Sequence, residues 1–114
     1  MNGAAPILSV AFFRTASGNE PVREWLKSLP REARRSIGED IKTVQFGWPL
    51  GMPLVRKLEA GLWEVRSRLP DGIVRIFFTT GEGQMVLLHG FIKKSQRIPA
   101  DDLELARWRL RMLE

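Results

Sequence analysis

The sequence contains no cysteine and no tyrosine, and it has a single histidine. Without cysteine the chain has neither a disulfide framework nor a thiolate metal site, and a reducing compartment is expected. The most apolar early stretch, residues 7–13, ends at Arg14 and is much shorter than the roughly 18 to 20 residues that a membrane span requires. We therefore expect a cytoplasmic protein that uses no metal or other cofactor and binds no membrane.

Basic residues outnumber acidic ones. Lys and Arg total 18 against 13 Asp and Glu, which gives a net charge of +5. Residues 54–98 alone hold eight bases and four acids, so a charge of +4 falls within this one segment. Such a surplus suits phosphate binding, although many small basic domains bind no nucleic acid. The positions of the basic residues in the fold must decide between the two interpretations.

The hydrophobic pattern predicts one α+β domain over residues 1–114, with the order β-α-α-β-β-β-α. Residues 7–13 predict a first strand, Pro21 begins a helix, and a second helix is expected over residues 31–46. Three consecutive strands are predicted at 61–69, 73–80 and 84–92, and Pro99 introduces a last helix. No strand is predicted in or directly after the Gly/Pro-rich passage at 47–53.

Alternation along the three consecutive strands separates apolar from basic side chains. The face expected to meet the helices holds Trp63, Val65, Leu69, Val74, Ile76, Phe78, Val86, Leu88 and Ile92. The opposite face is expected to hold Glu64, Arg66, Arg68, Arg75, Phe77, Thr79, Leu87, His89, Phe91 and Lys93. If both turns are symmetric, Arg66, Arg75 and His89 form a row across the strands. A bulged Pro-Asp-Gly turn would instead shift the pairing and scatter that row.

The predicted pair Arg66 and Arg75 is electrostatically unfavourable. Like charges that face each other across strands cost a few tenths to about 1 kcal/mol, so this pair needs an anion, a carboxylate such as Glu64, or solvent. The alternative is that the arginines only form a solvated sheet face. His89 is the one side chain of a type that titrates near neutrality, so a general acid or base must be His89 or a carboxylate. A lone histidine in a strand is more often a packing residue.

Several segments resemble the phage-derived, HigB-like branch of the RelE/ParE toxin superfamily. They are LWEVRSRLPDGIVRIFF (62–78), VLLHGFIKKSQRIP (86–99) and the last helix, which is rich in alanine and arginine, and the likeness extends back through 21–30 and 53–61. The resemblance implies two N-terminal helices packed on a twisted, mainly antiparallel, four-stranded sheet with a C-terminal helix. It also implies the toxin of a type II toxin-antitoxin system, a metal-independent endoribonuclease that cleaves mRNA on the ribosome. A helix-turn-helix antitoxin would be its partner, and operator DNA would be bound only through that complex.

The chemistry that the resemblance implies is attack of a ribose 2′-hydroxyl on its own 3′-phosphate, which releases a 5′-hydroxyl. Arg66 and Arg75 would stabilise the charge on the phosphate, and Glu64 and His89 would act as base and acid in some order. RNA binding would fall to the remaining basic residues of the face and its loops: Lys57, Arg68, Lys93, Lys94 and Arg97. Two alternatives stay open, a non-enzymatic ParE-like topoisomerase inhibitor and an inactive regulator that binds only antitoxin and operator.

Overall fold

The computed structural model describes residues 5–93 and 99–113, which form three helices and one five-stranded sheet. The elements along the chain are β1 (Ser9–Phe12), α1 (Pro21–Lys27), α2 (Arg31–Gly47), β2 (Val55–Glu59), β3 (Leu62–Leu69), β4 (Gly72–Gly81), β5 (Gln84–Lys93) and α3 (Ala100–Met112). The α+β class and the three predicted helices are confirmed. The prediction of a four-stranded sheet is wrong, because β2 adds a fifth strand that the sequence pattern did not indicate.

The strands lie side by side in the order β1-β5-β4-β3-β2. Strands β2 to β5 form an antiparallel meander, whereas β1 pairs in parallel with β5. A parallel neighbour requires a long crossover. Here the helices α1 and α2 carry the chain from β1 at one edge of the sheet to β2 at the other.

A β-bulge in β5 changes which of its side chains face the helices. The consecutive residues Phe77 and Phe78 of β4 pair with His89 and Leu87, so Leu88 is the extra residue between them. As a result Leu87 packs in the cluster beneath α1 and α2, and Leu88 packs in the cluster beneath α3. The faces predicted for three residues of β5 are therefore wrong: Val86, Leu87 and Leu88.

Each face of the sheet carries a helix layer. The larger cluster contains Val22 of α1, several residues of α2 and the inward side chains of the strands, among them Val65, Val74, Ile76 and Phe78 as predicted. The smaller cluster lies between the sheet and α3 and contains Phe13, Leu62, Phe77, Leu88 and Ala106. Helix α3 meets mainly β5 and, to a lesser extent, β4, so it covers only part of its face.

Candidate nucleic-acid interface

The part of the α3-side face that the apolar cluster does not occupy carries a group of charged side chains. Arg56 of β2 pairs with Glu64 of β3, and Arg66 pairs with Arg75 of β4, two residues further along. Because side chains alternate, all four project from the same face of the sheet. We call these four residues the arginine cluster. The predicted pairing of Arg66 with Arg75 is confirmed.

Glu64 lies at the centre of the arginine cluster and is completely buried. Its two carboxylate oxygens each accept a hydrogen bond of 3.2 Å from Nη1 of Arg75. The Nε atom of Arg56 is also 3.2 Å from Oε1, and that of Arg66 is 3.8 Å from it. One carboxylate therefore holds three guanidinium groups, and it relieves the repulsion expected between Arg66 and Arg75.

The three arginines differ in their access to solvent. The side chain of Arg75 is 2% exposed, that of Arg66 is 18% exposed and that of Arg56 is 35% exposed. Arg75 is therefore a fixed inner member, whereas Arg56 and Arg66 present part of their guanidinium groups to the outside. Three cations against one anion leave the cluster with a formal charge of +2.

The arginine cluster has hydrogen-bond donors to spare. Within residues 5–93 and 99–113, the buried Nε atoms of Arg56, Arg66 and Arg75 have no hydrogen-bond partner. A guanidinium group has five N–H donors, and buried donors without acceptors are costly. The partly exposed side chains of Arg56 and Arg66 are the ones suited to a second anion, because planar guanidinium groups match the paired oxygens of a phosphate.

His89 lies on the same face, beside α3. Its Nε2 atom is 2.6 Å from Oδ1 of Asp102 in the first turn of α3. The imidazole ring stacks on Phe91, with ring centroids 5.5 Å apart and an interplanar angle of 25°. The two side chains of the His89 and Asp102 pair are 17% and 25% exposed, so solvent reaches both.

The predicted row of Arg66, Arg75 and His89 is wrong, because Arg75 pairs with Phe91 and His89 pairs with Phe77. Two local features shift the register. Glu82 and Gly83, with φ of 51° and 76°, form the whole turn between β4 and β5, as in a type I′ hairpin. The bulge then adds one more residue to β5.

A comparison with known protein families identifies the family of this chain. A model of the phage-derived Gp49-like proteins matches residues 24–111. The chain belongs to this Gp49-like family. No curated protein matches the chain significantly. The phage-derived relationship predicted from the sequence is confirmed at this level, and the narrower assignment to a HigB-like branch stays a prediction.

The matched region of the Gp49-like chain includes the arginine cluster, but the other predicted RNA-binding residues are dispersed. Arg68 is exposed and borders a cleft of about 230 Å³ with Arg66 and Asp40. Lys93 pairs with Ile73 at the same end of the sheet. Lys57 projects from the opposite face, with its Nζ 5.9 Å from the centre of the Trp63 ring. Two predicted residues lie outside the described part of the chain: Lys94 and Arg97.

Sequence reasoning missed two residues of this Gp49-like site, Arg56 and Asp102. Arg56 belongs to β2, and a strand at this place would have put Arg56 on the same face as Glu64. Asp102 stands in the first turn of α3, where carboxylates are common because they interact favourably with the helix dipole. No pattern in the sequence indicates that this carboxylate meets His89.

Two arginines of α3 hold this helix against the sheet. Arg107 donates hydrogen bonds to Glu59 at the end of β2, with Nη2 2.8 Å from Oε1, and these bonds hold the pKa of Glu59 below its ordinary value. Arg109 donates a hydrogen bond of 2.7 Å to the carbonyl oxygen of Leu88, and burial lowers its pKa. Helix α3 is therefore fixed at both sides beside the arginine cluster.

The described residues of the Gp49-like chain contain no group of three or more side chains that could hold a metal ion. In the same part of the chain, the helices all fall short of the length and apolarity that a membrane crossing requires.

Proposed function

We propose that this Gp49-like chain is the toxin of a type II toxin-antitoxin system and that it cleaves mRNA on the ribosome. The observation that carries the proposal is the arginine cluster, in which a buried carboxylate holds three cations together and two of them are partly exposed. The family membership and the resemblance of the sequence to HigB-like toxins support the same function. The proposed reaction is attack of a ribose 2′-oxygen on the adjacent phosphorus, with breakage of the bond from phosphorus to the 5′-oxygen.

The role proposed for the arginine cluster is to stabilise the charge that develops on the phosphate oxygens. Arg56 and Arg66 are open enough to contact the phosphate, and Arg75 holds the carboxylate that orients them. Donors that are already oriented require no rearrangement as the reaction proceeds, which is why such groups contribute strongly to catalysis. A single buried carboxylate also keeps three arginines together without cancelling their charge.

Glu64 serves in this proposal as a positioning residue and not as the base. Both of its oxygens accept hydrogen bonds from Arg75, and the side chain has no exposed surface from which to meet a ribose hydroxyl. Of the two groups considered for proton transfer, Glu64 and His89, only His89 remains.

His89 is therefore proposed to accept the proton of the 2′-hydroxyl. Asp102 binds Nε2, so Nδ1 is the nitrogen left to take that proton, and the carboxylate stabilises the imidazolium that results. The proton moves to His89 as the new bond from oxygen to phosphorus forms. Solvent protonates the 5′-oxygen as it leaves, so the products are a cyclic phosphate and a free 5′-hydroxyl.

The experiment that tests this function is transcriptome-wide mapping of 5′-hydroxyl ends after a short induction. Wild-type protein is expected to produce new ends within translated regions, and an inhibitor that clears mRNA of ribosomes is expected to abolish them. Arg66→Ala should remove the ends, whereas Lys42→Ala, at an exposed lysine of α2, should not. Growth arrest with intact mRNA would instead support a topoisomerase inhibitor, and normal growth with intact mRNA would support an inactive regulator.

A further inference from the structure

A cleft opens where strand β3 extends past the start of β2. Strand β2 begins at Val55, which pairs with Val65, whereas β3 continues to Leu69. The main chain before β2 stays close to β3, because the backbone N–H of Arg66 donates a hydrogen bond of 2.8 Å to the carbonyl oxygen of Leu54. Three apolar and three charged residues line the cleft: Pro53, Leu54, Ile73, Asp40, Arg66 and Arg68. We call it the Asp40 cleft.

A buried hydroxyl group holds the carboxylate of the Asp40 cleft in place. Ser67 is completely buried, and its Oγ donates a hydrogen bond of 2.5 Å to Oδ2 of Asp40. A carboxylate has about four acceptor positions, so this bond leaves most of them for a ligand. Within residues 5–93 and 99–113, neither Asp40 nor Arg68 forms an ion pair. Both charged groups are therefore available to a ligand.

The Asp40 cleft combines the groups that recognise one particular nucleobase. Among the four RNA bases, only guanine has two adjacent acceptors, O6 and N7, together with two adjacent donors, N1–H and the N2 amino group. An arginine fork binds the pair of acceptors, and a carboxylate accepts from the pair of donors. Adenine, cytosine and uracil each have a single donor group on these edges. The cleft volume of about 230 Å³ is below the roughly 300 Å³ at which pockets for drug-sized ligands begin, so it suits a single base.

We propose that the Asp40 cleft binds a guanine base of the RNA, with Arg68 on O6 and N7 and Asp40 on N1–H and the N2 amino group. Arg66 lines the cleft and also belongs to the arginine cluster, so a base held there adjoins the phosphate that the cluster binds. Asp40 and Arg68 thus select the substrate. This selection rests on the proposed function, because only then is that phosphate the one that is cleaved.

Strand β4 indicates which nucleotide the Asp40 cleft receives. Ile73, Arg75 and Phe77 project in turn from the α3 side of this strand. Ile73 lines the cleft, Arg75 belongs to the arginine cluster, and Phe77 pairs with its neighbour His89 in β5. The cleft and His89 therefore lie at opposite ends of the arginine cluster. The 2′-hydroxyl that gives its proton to His89 belongs to the nucleotide before the cut, so the guanine in the cleft belongs to the nucleotide after the cut.

Binding of free nucleotides tests the Asp40 cleft without the ribosome. Guanosine 5′-monophosphate carries its phosphate on the side that the arginine cluster requires, whereas guanosine 3′-monophosphate carries it on the other side. NMR titrations should give the lowest dissociation constant for guanosine 5′-monophosphate. It should lie roughly 5- to 150-fold below those of the other three 5′-monophosphates, the discrimination that one bidentate contact to a base supplies. Asp40→Asn and Arg68→Ala should each remove most of that preference, and Glu39→Gln, at the neighbouring exposed carboxylate of α2, should keep it.

The mapped 5′-hydroxyl ends test the same cleft in cells. The nucleotide after the cut is the first of each new end, so wild-type ends should begin mostly with guanine. Asp40→Asn should lower the share of such ends toward the guanine content of the translated RNA, and Glu39→Gln should not. Melting curves check that Asp40→Asn stays folded without the charge that Ser67 binds. Arg68→Ala changes an exposed side chain and gives a second reading if it does not.

Ends without an excess of guanine overturn the proposal, and so does equal affinity for the four 5′-monophosphates. A guanine preference that survives in both Asp40→Asn and Arg68→Ala also overturns it. Preferential binding of guanosine 5′-monophosphate by a protein that cleaves no mRNA would support the Asp40 cleft and contradict the proposed function. Cleavage of mRNA without any guanine preference would do the reverse.

Discussion

The central residue of this molecule is Glu64, because one buried carboxylate decides where three arginines can lie. An isolated buried charge is very costly, and a buried ion pair stabilises a protein only when its hydrogen bonds are well made. Here Glu64 has more cationic partners than it can neutralise, and Arg75 is almost as buried as Glu64 itself. The surplus positive charge is therefore held at a fixed place by the sheet and is not spread over mobile surface side chains.

Replacing this carboxylate tests the arrangement directly. Glu64→Gln keeps the shape of the side chain but removes its charge, so three guanidinium groups would remain together without an anion. We expect a loss of about 3 kcal/mol in the free energy of unfolding, the lower end for breaking a buried ion pair, together with loss of toxicity. Urea denaturation measures the first effect. Glu39→Gln, at an exposed surface pair with Arg35, should change stability little. Equal stability of both variants would contradict the role given to Glu64.

Substitution of the two arginines that face each other, Arg66 and Arg75, should give different phenotypes. Arg66 is 18% exposed, so Arg66→Ala should keep the fold and lower mRNA cleavage by about 10² to 10³-fold, as removal of one preorganised donor does. Arg75 is 2% exposed and binds both oxygens of Glu64, so Arg75→Ala should lower stability as well as activity. Cleavage assays and melting curves on both variants check this. If Arg66→Ala cleaved at the wild-type rate, the cluster would not be the phosphate site.

At the scale of elements, local patterns predicted most of the structure and failed where pairing depends on distant residues. The helices and the three strands of the β3 to β5 meander follow from periodicity and from Pro and Gly signals. Strand β2 was missed for two reasons. It closely follows the Gly/Pro-rich passage, and it contains two basic residues in succession, Arg56 and Lys57. The parallel pairing of β1 with β5 is set by the crossover through the helices, which no local pattern shows.

The bulge in β5 also explains why part of the site was misplaced. Residues 85–88 are all apolar, so alternation carries no information about which of them faces which helix layer. The extra residue, Leu88, moves His89 away from Arg75 and toward Asp102 of α3. Arg66, Arg75 and Glu64 could be predicted because β3 and β4 pair through a short turn without a bulge. The pair His89 and Asp102 joins two elements and required the structure.

The close contact between α1 and β5 gives a test of helix packing. A Cβ atom on Gly90 would lie 2.7 Å from Cζ3 of Trp25, so Gly90→Ala requires the indole to move. We expect a loss of about 1 to 3 kcal/mol, as for other overpacked sites. The matched control is Gly38→Ala in α2, where nothing lies within 4 Å, and it should stabilise the protein by about 0.5 to 1 kcal/mol. Chemical denaturation compares the two. Equal effects would contradict the packing argument.

The attachment of α3 to β2 should depend on pH. Hydrogen bonds from Arg107 lower the pKa of Glu59, so the pair stabilises the protein above the ordinary pKa of a glutamate, and this contribution is lost as the pH falls through the lowered value. Because both side chains are 38% exposed, we expect less than about 1 kcal/mol. Melting temperatures between neutral and acidic pH should fall less for Arg107→Met than for the wild type. If the melting temperatures of the variant and the wild type fell equally with pH, the pair of Arg107 and Glu59 would not have this role.

At the scale of the whole molecule, the charge and the sheet face together bear on the partner. The chain has a net charge of +5, and the arginine cluster contributes a fixed excess of positive charge on one face. If the cluster is the RNA site of a toxin, the cell that makes it must keep that face from reaching translated mRNA. An antitoxin achieves this either by placing carboxylates on the arginines or by holding the toxin away from the ribosome.

Salt dependence distinguishes these two modes of neutralisation. We expect that co-expression with an adjacent helix-turn-helix protein yields a complex that survives purification and restores growth, and that operator DNA binds only to this complex. If the antitoxin contacts the arginine cluster, affinity should fall as the salt concentration rises, and Arg56→Ala or Arg66→Ala should weaken binding and flatten that dependence. The control Lys42→Ala should bind like the wild type.

Binding that depends neither on the salt concentration nor on the two arginine substitutions would indicate that the antitoxin acts at another surface. Absence of any complex, or a complex that leaves toxicity unchanged, would contradict the proposed toxin-antitoxin pairing.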